Sequence, residues 1–438
     1  MVVDEAKREG GMIWAYLLHM STNMWYDRAP ERFQTVYRKT RGLSPKLLFD
    51  ENVYNEWVNR MTEIGMNMLV LDVGDAVRYP SHPEIAIEGS WTPERLRDEV
   101  RRLKARGIEA IPKLNFSTAH DSWLKDYQRM VSTPEYYRVC EDLIRDISEI
   151  FDRPRFIHLG YDEERPDQKY ADFVVCRQGD QWWRDFLKIT GFAEKAGMRP
   201  WVWADYGWHH PEAFLKNCPK SVLLSNWYYG ANFTPEERAS DWYRKLDAAG
   251  YDQIPCGSNW GCQENMRLTC AFARKELDPR RLKGFMIAPW HRTLPRYRHM
   301  AANSFDIMEE VMVLDRTGRQ PPVAPVAAWR VKDGQIQCWY HEPDRMTASP
   351  GEHIMIDFGR CGAFRATLEE ESAAEGTRMS VLPSVKLDGT VCAAGQTPLS
   401  FTLTDGELVL EASESREFRF LDITGDRRFT ITLARAIS

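Results

Sequence analysis

The sequence predicts a (β/α)8 TIM barrel followed by a small antiparallel β domain, and three observations carry that prediction. Short apolar runs alternate eight times with amphipathic helical stretches across the first three hundred residues. No glycine-rich phosphate turn follows an early strand, as an open doubly wound sheet would want. The run TGRQPPVAPVA over 317–327 then ends the helical pattern, and strand-like alternation with turn pairs takes over. The expected organisation is a barrel over 1–318, a proline-rich linker over 319–327 and a sandwich-like β domain over 328–438.

Strands are expected at 13–20, 67–73, 108–116, 155–161, 200–205, 221–227, 252–258 and 283–290. Asp50 caps the first helix, which carries Val53, Trp57, Met61 and Ile64 on one stripe and ends at Gly65. The second starts at Thr92-Pro93-Glu94, an N-cap followed by proline at the first helical position; Leu96, Val100 and Leu103 share a face, and Gly107 stops it. Thr133-Pro134 repeats that start for the third helix, which turns Cys140, Leu143, Ile147 and Ile150 inward. Further helices are expected at 179–197, 236–249, 262–277 and 295–314, with a shorter one near 211–217. Beyond the linker, segments such as SFTLTDGELVLEA alternate in strand fashion, with DG turn pairs at 333–334 and 405–406.

Across 438 residues, 58 basic and 64 acidic side chains leave a formal net charge of −6. That balance argues against nucleic acid as a partner. No apolar run approaches the roughly 18–20 residues of a membrane-spanning helix, so no membrane partner is expected either. Aromatic content is the oddity: all but Trp329 and Trp339 of the 16 tryptophans lie in the barrel half, suiting a heavy core or a ring-lined cleft. Nine cysteines without C-x-x-C spacing indicate neither a zinc ribbon nor a redox dithiol. Cys140 and Cys270 fall on apolar helix faces; Cys256 and Cys262 are near enough in sequence to pair in an oxidising space, with a reduced structural role the expectation. The opening MVVDEAKREGG is charged and shows no secretory signal, which fits a cytoplasmic protein or one exported with a leader absent from this chain.

A barrel presents its chemistry just past the carboxyl ends of the strands. Those ends here carry Asp72 and Asp75, Asn115, Asp162-Glu163-Glu164, Trp203 and Asp205, Asn226-Trp227-Tyr228-Tyr229, Asn259-Trp260, and Trp290-His291-Arg292. Carboxylates beside tryptophans suit a sugar, since flat rings face its C–H surface while acids bind hydroxyls or move protons. One such acid is adequately explained as a helix cap; so many loaded strand ends at once are not. Only the fourth strand ends in adjacent acids. Two carboxylates so close do not ionise easily together, so one becomes a general acid at neutral pH. No histidine pair shows helical ligand spacing with a carboxylate, and neither a metal nor another cofactor is expected. His158 reads as a core histidine.

The stretch from Gly65 to Glu163 resembles the β-N-acetylhexosaminidases of glycoside hydrolase family 20. Their fourth strand ends in His-x-Gly-Gly-Asp-Glu, and this chain has His158-Leu159-Gly160-Tyr161-Asp162-Glu163. Their second strand is matched by Asn67, Asp72, Asp75, Arg78, Tyr79 and Pro80, and their third by Arg106-Gly107-Ile108 through Ile111-Pro112-Lys113-Leu114-Asn115, then His120. The resemblance implies that Glu163 protonates the glycosidic oxygen while Asp162 orients the substrate's 2-acetamido group, whose carbonyl oxygen attacks the anomeric carbon. It further implies that His120 and Asn115 tune the acid and that Trp203, Trp227, Trp260 and Trp290 wall the sugar, with Asp75, Arg78, Tyr161, Asp205, Tyr228 and Arg292 as further substrate-binding candidates. The chain departs from the family at Ser21-Thr22-Asn23, which stand where an arginine grips the sugar, and at Trp290-His291-Arg292, where the family has Trp-x-Glu. Lys113 replaces a glutamate, Asn115 an aspartate and Tyr161 the second glycine.

The reading is a retaining glycoside hydrolase acting on a carbohydrate with a β-linked 2-acetamido sugar or a close relative. Two alternatives stay open: a glycosidase using separated carboxylates, Asp162 or Glu164 with Asp205, and a non-catalytic glycan-binding barrel. Lys113, Arg78 and Arg292 raise an anionic sugar as substrate, unless they pair with Asp72, Asp75 or Asp205. Residues 328–438 are expected to be accessory.

Overall fold

The computed structural model describes residues 11–29, 32, 41–165, 175–260, 262, 264–318, 327–333, 335–339, 346–357, 364–368, 377–382, 384–385, 391–393, 401–404, 407–410, 420–425 and 429–435. The barrel strands are β1 (Ile13–His19), β2 (Met68–Asp72), β3 (Glu109–Lys113), β4 (Phe156–His158), β5 (Arg199–Trp203), β6 (Leu223–Ser225), β7 (Cys256–Gly257) and β8 (Gly284–Ile287). All are parallel, in the order β6-β5-β4-β3-β2-β1-β8-β7. Single backbone bonds between the outer two close the ring: Ile254 N–H donates to Leu224 O at 2.9 Å and Cys256 N–H to Asn226 O at 3.0 Å. This is the (β/α)8 barrel that the eightfold alternation predicts. Most strands are shorter than expected at the carboxyl ends, where the chain leaves the sheet early and the candidate residues lie; β6 and β7 also start later than expected.

Between the strands run α1 (Glu51–Ile64), α2 (Pro93–Ala105), α3 (Pro134–Ile150), α4 (Gly179–Lys195), α5 (Tyr206–His209), α6 (Pro211–Asn217), α7 (Arg238–Ala248) and α8 (Asn265–Glu276), and α9 (Arg298–Thr317) follows β8. Their starts obey the caps. Asp50 accepts from Asn52 N and Val53 N, and Thr92 and Thr133 accept from the third residue onward beside a proline. Gly65 closes α1 at φ 81°, a conformation that costs a side-chain-bearing residue energy. The predicted stripes of α1, α2 and α3 are all buried. Strands β1 and β2 are buried at every position, as parallel strands covered on both faces must be.

The chain divides into two compact units, one of Met1–Tyr228, Asn232–Gly257 and Thr269–Pro295, the other of Tyr229–Ala231, Ser258–Leu268 and Arg296–Ser438. All eight barrel strands belong to the first. In the second, Gln335–Trp339, Ala327–Lys332, Glu352–Asp357, Phe420–Gly425 and Thr377–Leu382 form one five-stranded antiparallel sheet. Met346–Ala348, Phe429–Arg435, Phe364–Leu368, Glu407–Leu410 and Phe401–Thr404 form another. The strand pairs flanking both DG dipeptides are antiparallel. Residues 1–10 and 319–326, which hold most of the opening segment and of the expected linker, lie outside the described residues; Ala327 already begins a strand. Among the described residues, no helix is long and apolar enough to cross a membrane.

Candidate active site

The site is built on the turn that leaves β4. Gly160, Tyr161 and Glu163 all have positive φ, at 73°, 74° and 58°. The left-handed conformation costs a residue with a Cβ about 1–2 kcal/mol, and such strain concentrates at functional turns. The turn hangs between its neighbours: Phe116 N–H donates to Leu159 O at 3.0 Å, and Trp203 N–H to Gly160 O at 2.9 Å. Asn115 is the bracket. Its Oδ1 accepts from Ser117 N at 3.0 Å and its Nδ2 donates to Asp162 Oδ1 at 2.8 Å. A Cβ on Gly160 would lie 1.9 Å from Asn115 Oδ1, so only glycine fits there.

On this frame four ionisable groups meet. His120 Nε2 lies 3.2 Å from Asp162 Oδ2 and 3.2 Å from Glu163 Oε2. Glu163 N–H donates to Asp205 Oδ2 at 2.9 Å, and Trp227 Nε1 to Asp205 Oδ1 at 3.3 Å. Burial opposes a charge on His120, yet Asp162 and Glu163 push its pKa up to about 10. It is an imidazolium at neutral pH. Burial likewise resists ionisation of Asp162, but His120, Lys113 and the Asn115 amide outweigh it and hold the carboxyl below the usual range. Asp205 goes the other way: burial and the Asp162 charge raise it to about 7. The resolved upward shift therefore falls on Asp205, just past the end of the neighbouring strand β5, and not on Asp162. Among the described residues, His120, Asp162 and Glu163 also bring potential metal-ligand atoms within 4.8 Å of one another.

Glu164 is occupied elsewhere. Arg177 grips it through Nε at 2.8 Å and Nη2 at 2.7 Å, adds its own backbone N–H at 2.9 Å, and reaches Asp185 Oδ2 at 3.1 Å. The side chains of Glu164, Arg177 and Asp185 are at most 1% exposed. Sequence reasoning missed this cluster, since nothing local marks Arg177 as the partner of an acid 13 residues earlier.

No family model matches the chain. Over 268 residues it is 22% identical to a beta-hexosaminidase of Akkermansia muciniphila, a match covering 50% of this chain and 52% of that protein. Over 228 residues it is 19% identical to a lacto-N-biosidase of Bifidobacterium bifidum, covering 45% and 20%. The match thus spans about half of one relative and a fifth of the other. The solved β-N-acetylhexosaminidase of Bacteroides fragilis has a TM-score of 0.47 at 11% identity, with 68% of this chain and 65% of that one covered. The chain resembles glycoside hydrolase family 20.

The departures from family 20 have visible physical outcomes. Tyr161 occupies the second glycine's place at positive φ, and its side chain turns away from the turn: its ring lies 5.0 Å from Phe186 and 5.5 Å from Trp182, and its hydroxyl donates to Asp185 O at 3.4 Å. Lys113, fully buried, bonds Asp72 Oδ2 at 2.5 Å. Arg292 donates to Thr22 Oγ1 at 2.8 Å and Gly42 O at 3.3 Å, and Arg78 is exposed. Lys113 is therefore taken by Asp72 and does not stand ready for an anionic sugar. Asp75 accepts from Asn23 Nδ2 at 2.7 Å, and burial raises its pKa to about 6. The rings of Trp203 and Trp290 lie 5.9 Å apart, tilted by 47°. The Tyr228 hydroxyl accepts from Asn232 N at 3.2 Å. Trp260 belongs to the second unit, where its ring lies 6.2 Å from Tyr229.

Proposed function

We propose that the barrel is a glycoside hydrolase acting on a β-linked 2-acetamido sugar, with Glu163 as acid/base and Asp162 as the carboxylate that orients the acetamido group. One observation carries this reading: a single buried ring nitrogen of His120 lies 3.2 Å from a carboxylate oxygen of both Asp162, which is 10% exposed, and Glu163, which is 20% exposed at the end of β4. Glu163 gives its proton to the leaving glycosidic oxygen as the acetamido carbonyl oxygen bonds to the anomeric carbon. The resulting oxazolinium keeps its N–H, and the ionised Asp162 balances its positive charge. Water then attacks the anomeric carbon and returns a proton to Glu163, which restores the acetamido group. Asn115 and His120 hold and charge the pair, while Trp203, Trp227 and Trp290 supply apolar walls. Residues 328–438 are read as accessory, because every group in this scheme precedes residue 291.

Aryl β-glycosides with and without a 2-acetamido group test the reading, together with a thiazoline mimic of the oxazolinium. Turnover confined to the acetamido sugars, inhibition by the thiazoline, and loss of that inhibition in Asp162→Asn are expected. A second reading pairs Asp162 with Asp205, favoured by the raised pKa of Asp205. A covalent glycosyl-enzyme on a side-chain carboxylate, without thiazoline inhibition, would select it.

A further inference from the structure

Six side chains make a closed circuit inside the barrel on the strand side of Asp162. His19 Nδ1 meets Asp72 Oδ2 at 3.1 Å, and Lys113 Nζ meets the same oxygen at 2.5 Å. Lys113 stands in register with His158, whose ring lies 4.5 Å from Trp203. Trp203 lies 5.9 Å from Trp290, and Trp290 lies 5.4 Å from His19, completing the circuit. The first five residues are at most 3% exposed; Trp290 is half-buried and forms the side nearest solvent.

Among the five most buried members, three polar atoms are buried with no hydrogen-bond partner among the described residues: His19 Nε2, His158 Nε2 and Trp203 Nε1. Their hydrogen-bonding characters follow from their neighbours. Burial holds both histidines below their ordinary pKa, so both are neutral. His19 donates Nδ1–H to Asp72, which leaves Nε2 an acceptor; His158 Nδ1 accepts the Gly160 N–H at 3.1 Å, which puts its proton on Nε2. Trp203 is a donor only. These three atoms thus offer two donors and one acceptor, and the charges of Lys113 and Asp72 cancel.

We propose that this circuit is a specificity subsite for an uncharged, hydroxyl-tipped 2-acylamino group, with His158 and Trp203 donating to the hydroxyl oxygen and His19 accepting its proton. The inference rests on the sugar reading above. Asp162, assigned to the amide N–H, leaves the same strand as His158, so the acyl end is the part of that group within reach of the circuit. A plain acetyl methyl satisfies none of the three atoms, and buried polar groups are costly until they are paired. A sulfate instead brings a second negative charge beside Asp72 and Asp162, with Lys113 already engaged.

The test is calorimetric titration of the full chain carrying Glu163→Gln, which blocks turnover, with three methyl β-glucosaminides. These bear a 2-acetamido, a 2-hydroxyacetamido or a 2-sulfamido group. The hydroxyacetamido sugar is expected to bind about five- to tenfold tighter than the acetamido sugar, as one or two added neutral hydrogen bonds would give, with the sulfamido sugar weakest. Trp203→Phe keeps a ring but removes a donor, and should draw the hydroxyacetamido-to-acetamido ratio toward one. A ratio at or below one without the Trp203 change overturns the subsite while leaving the sugar reading intact. Tightest binding of the sulfamido sugar also overturns it. If none of the three binds, the sugar reading fails and the subsite falls with it.

Discussion

Glu163 and Glu164 are neighbours in the chain, yet the fold sets them in opposite electrostatic situations. Glu164 is 1% exposed, and its oxygens meet the Arg177 guanidinium at 2.7 and 2.8 Å. Glu163 is 20% exposed and shares one imidazolium with Asp162. A carboxylate locked to a buried guanidinium has both oxygens engaged and its position fixed, which suits a structural tie. A carboxylate at the opening, sharing its cation with another acid, can exchange a proton with something that arrives. Simple alternation would set Glu163 opposite both Asp162 and Glu164; the positive φ of Glu163 breaks it, so that Glu163 joins Asp162 at His120 while Glu164 turns to Arg177.

Exchanging their fates is the most direct way to break this comparison. Glu163→Gln should lower the turnover number about 10²–10⁴-fold with an unchanged circular dichroism spectrum, since it removes a proton donor at constant shape. Near-normal turnover on a poor leaving group would move the chemistry elsewhere. Arg177→Met should act on stability, because it takes the guanidinium from two buried carboxylates, Glu164, which it grips with two bonds, and Asp185, which keeps Ser132, Tyr137 and Gln181. Losses from breaking a buried pair run to about 3–5 kcal/mol, readable by urea unfolding. A loss within experimental error would remove the structural role assigned to Glu164.

Two pH measurements sharpen the other side. The folded pKa of His120 is raised to about 10 from 6.5, so its stabilising contribution is fully present below about pH 6.5 and is lost as pH rises through 10. The stability difference between the parent chain and His120→Gln should therefore shrink across that window; a constant difference would contradict the shared imidazolium. Asp205, near 7, should titrate lower in Asp162→Asn, because a negative neighbour that disfavours its ionisation is gone. Carbon-13 NMR of the carboxyl resonances reads this directly, and an unmoved Asp205 would uncouple the two acids. This is the smallest effect of the four.

Much of this protein was legible from short stretches of chain. Caps at Asp50, Thr92 and Thr133, the stripes they introduce and the alternation of apolar runs depend on residues within a turn or two of one another, so local pattern determines them. The Asp162-Glu163 pair after the fourth strand was visible in the same way. What the sequence left open is whatever depends on register. Lys113 looks like a polar interruption of IPKLN; only alignment of β2 with β3 puts Asp72 beside it and makes a fully buried ammonium tolerable. Glu163 and Glu164 are equivalent candidates until Arg177 claims one of them, and Gly160 is an ordinary turn residue until Asn115, from another strand, comes too close for a Cβ. Side-chain period and capping are set over a few residues. The ionic state and availability of a buried group are set by neighbours tens of residues away, and only the closed barrel brings those into contact.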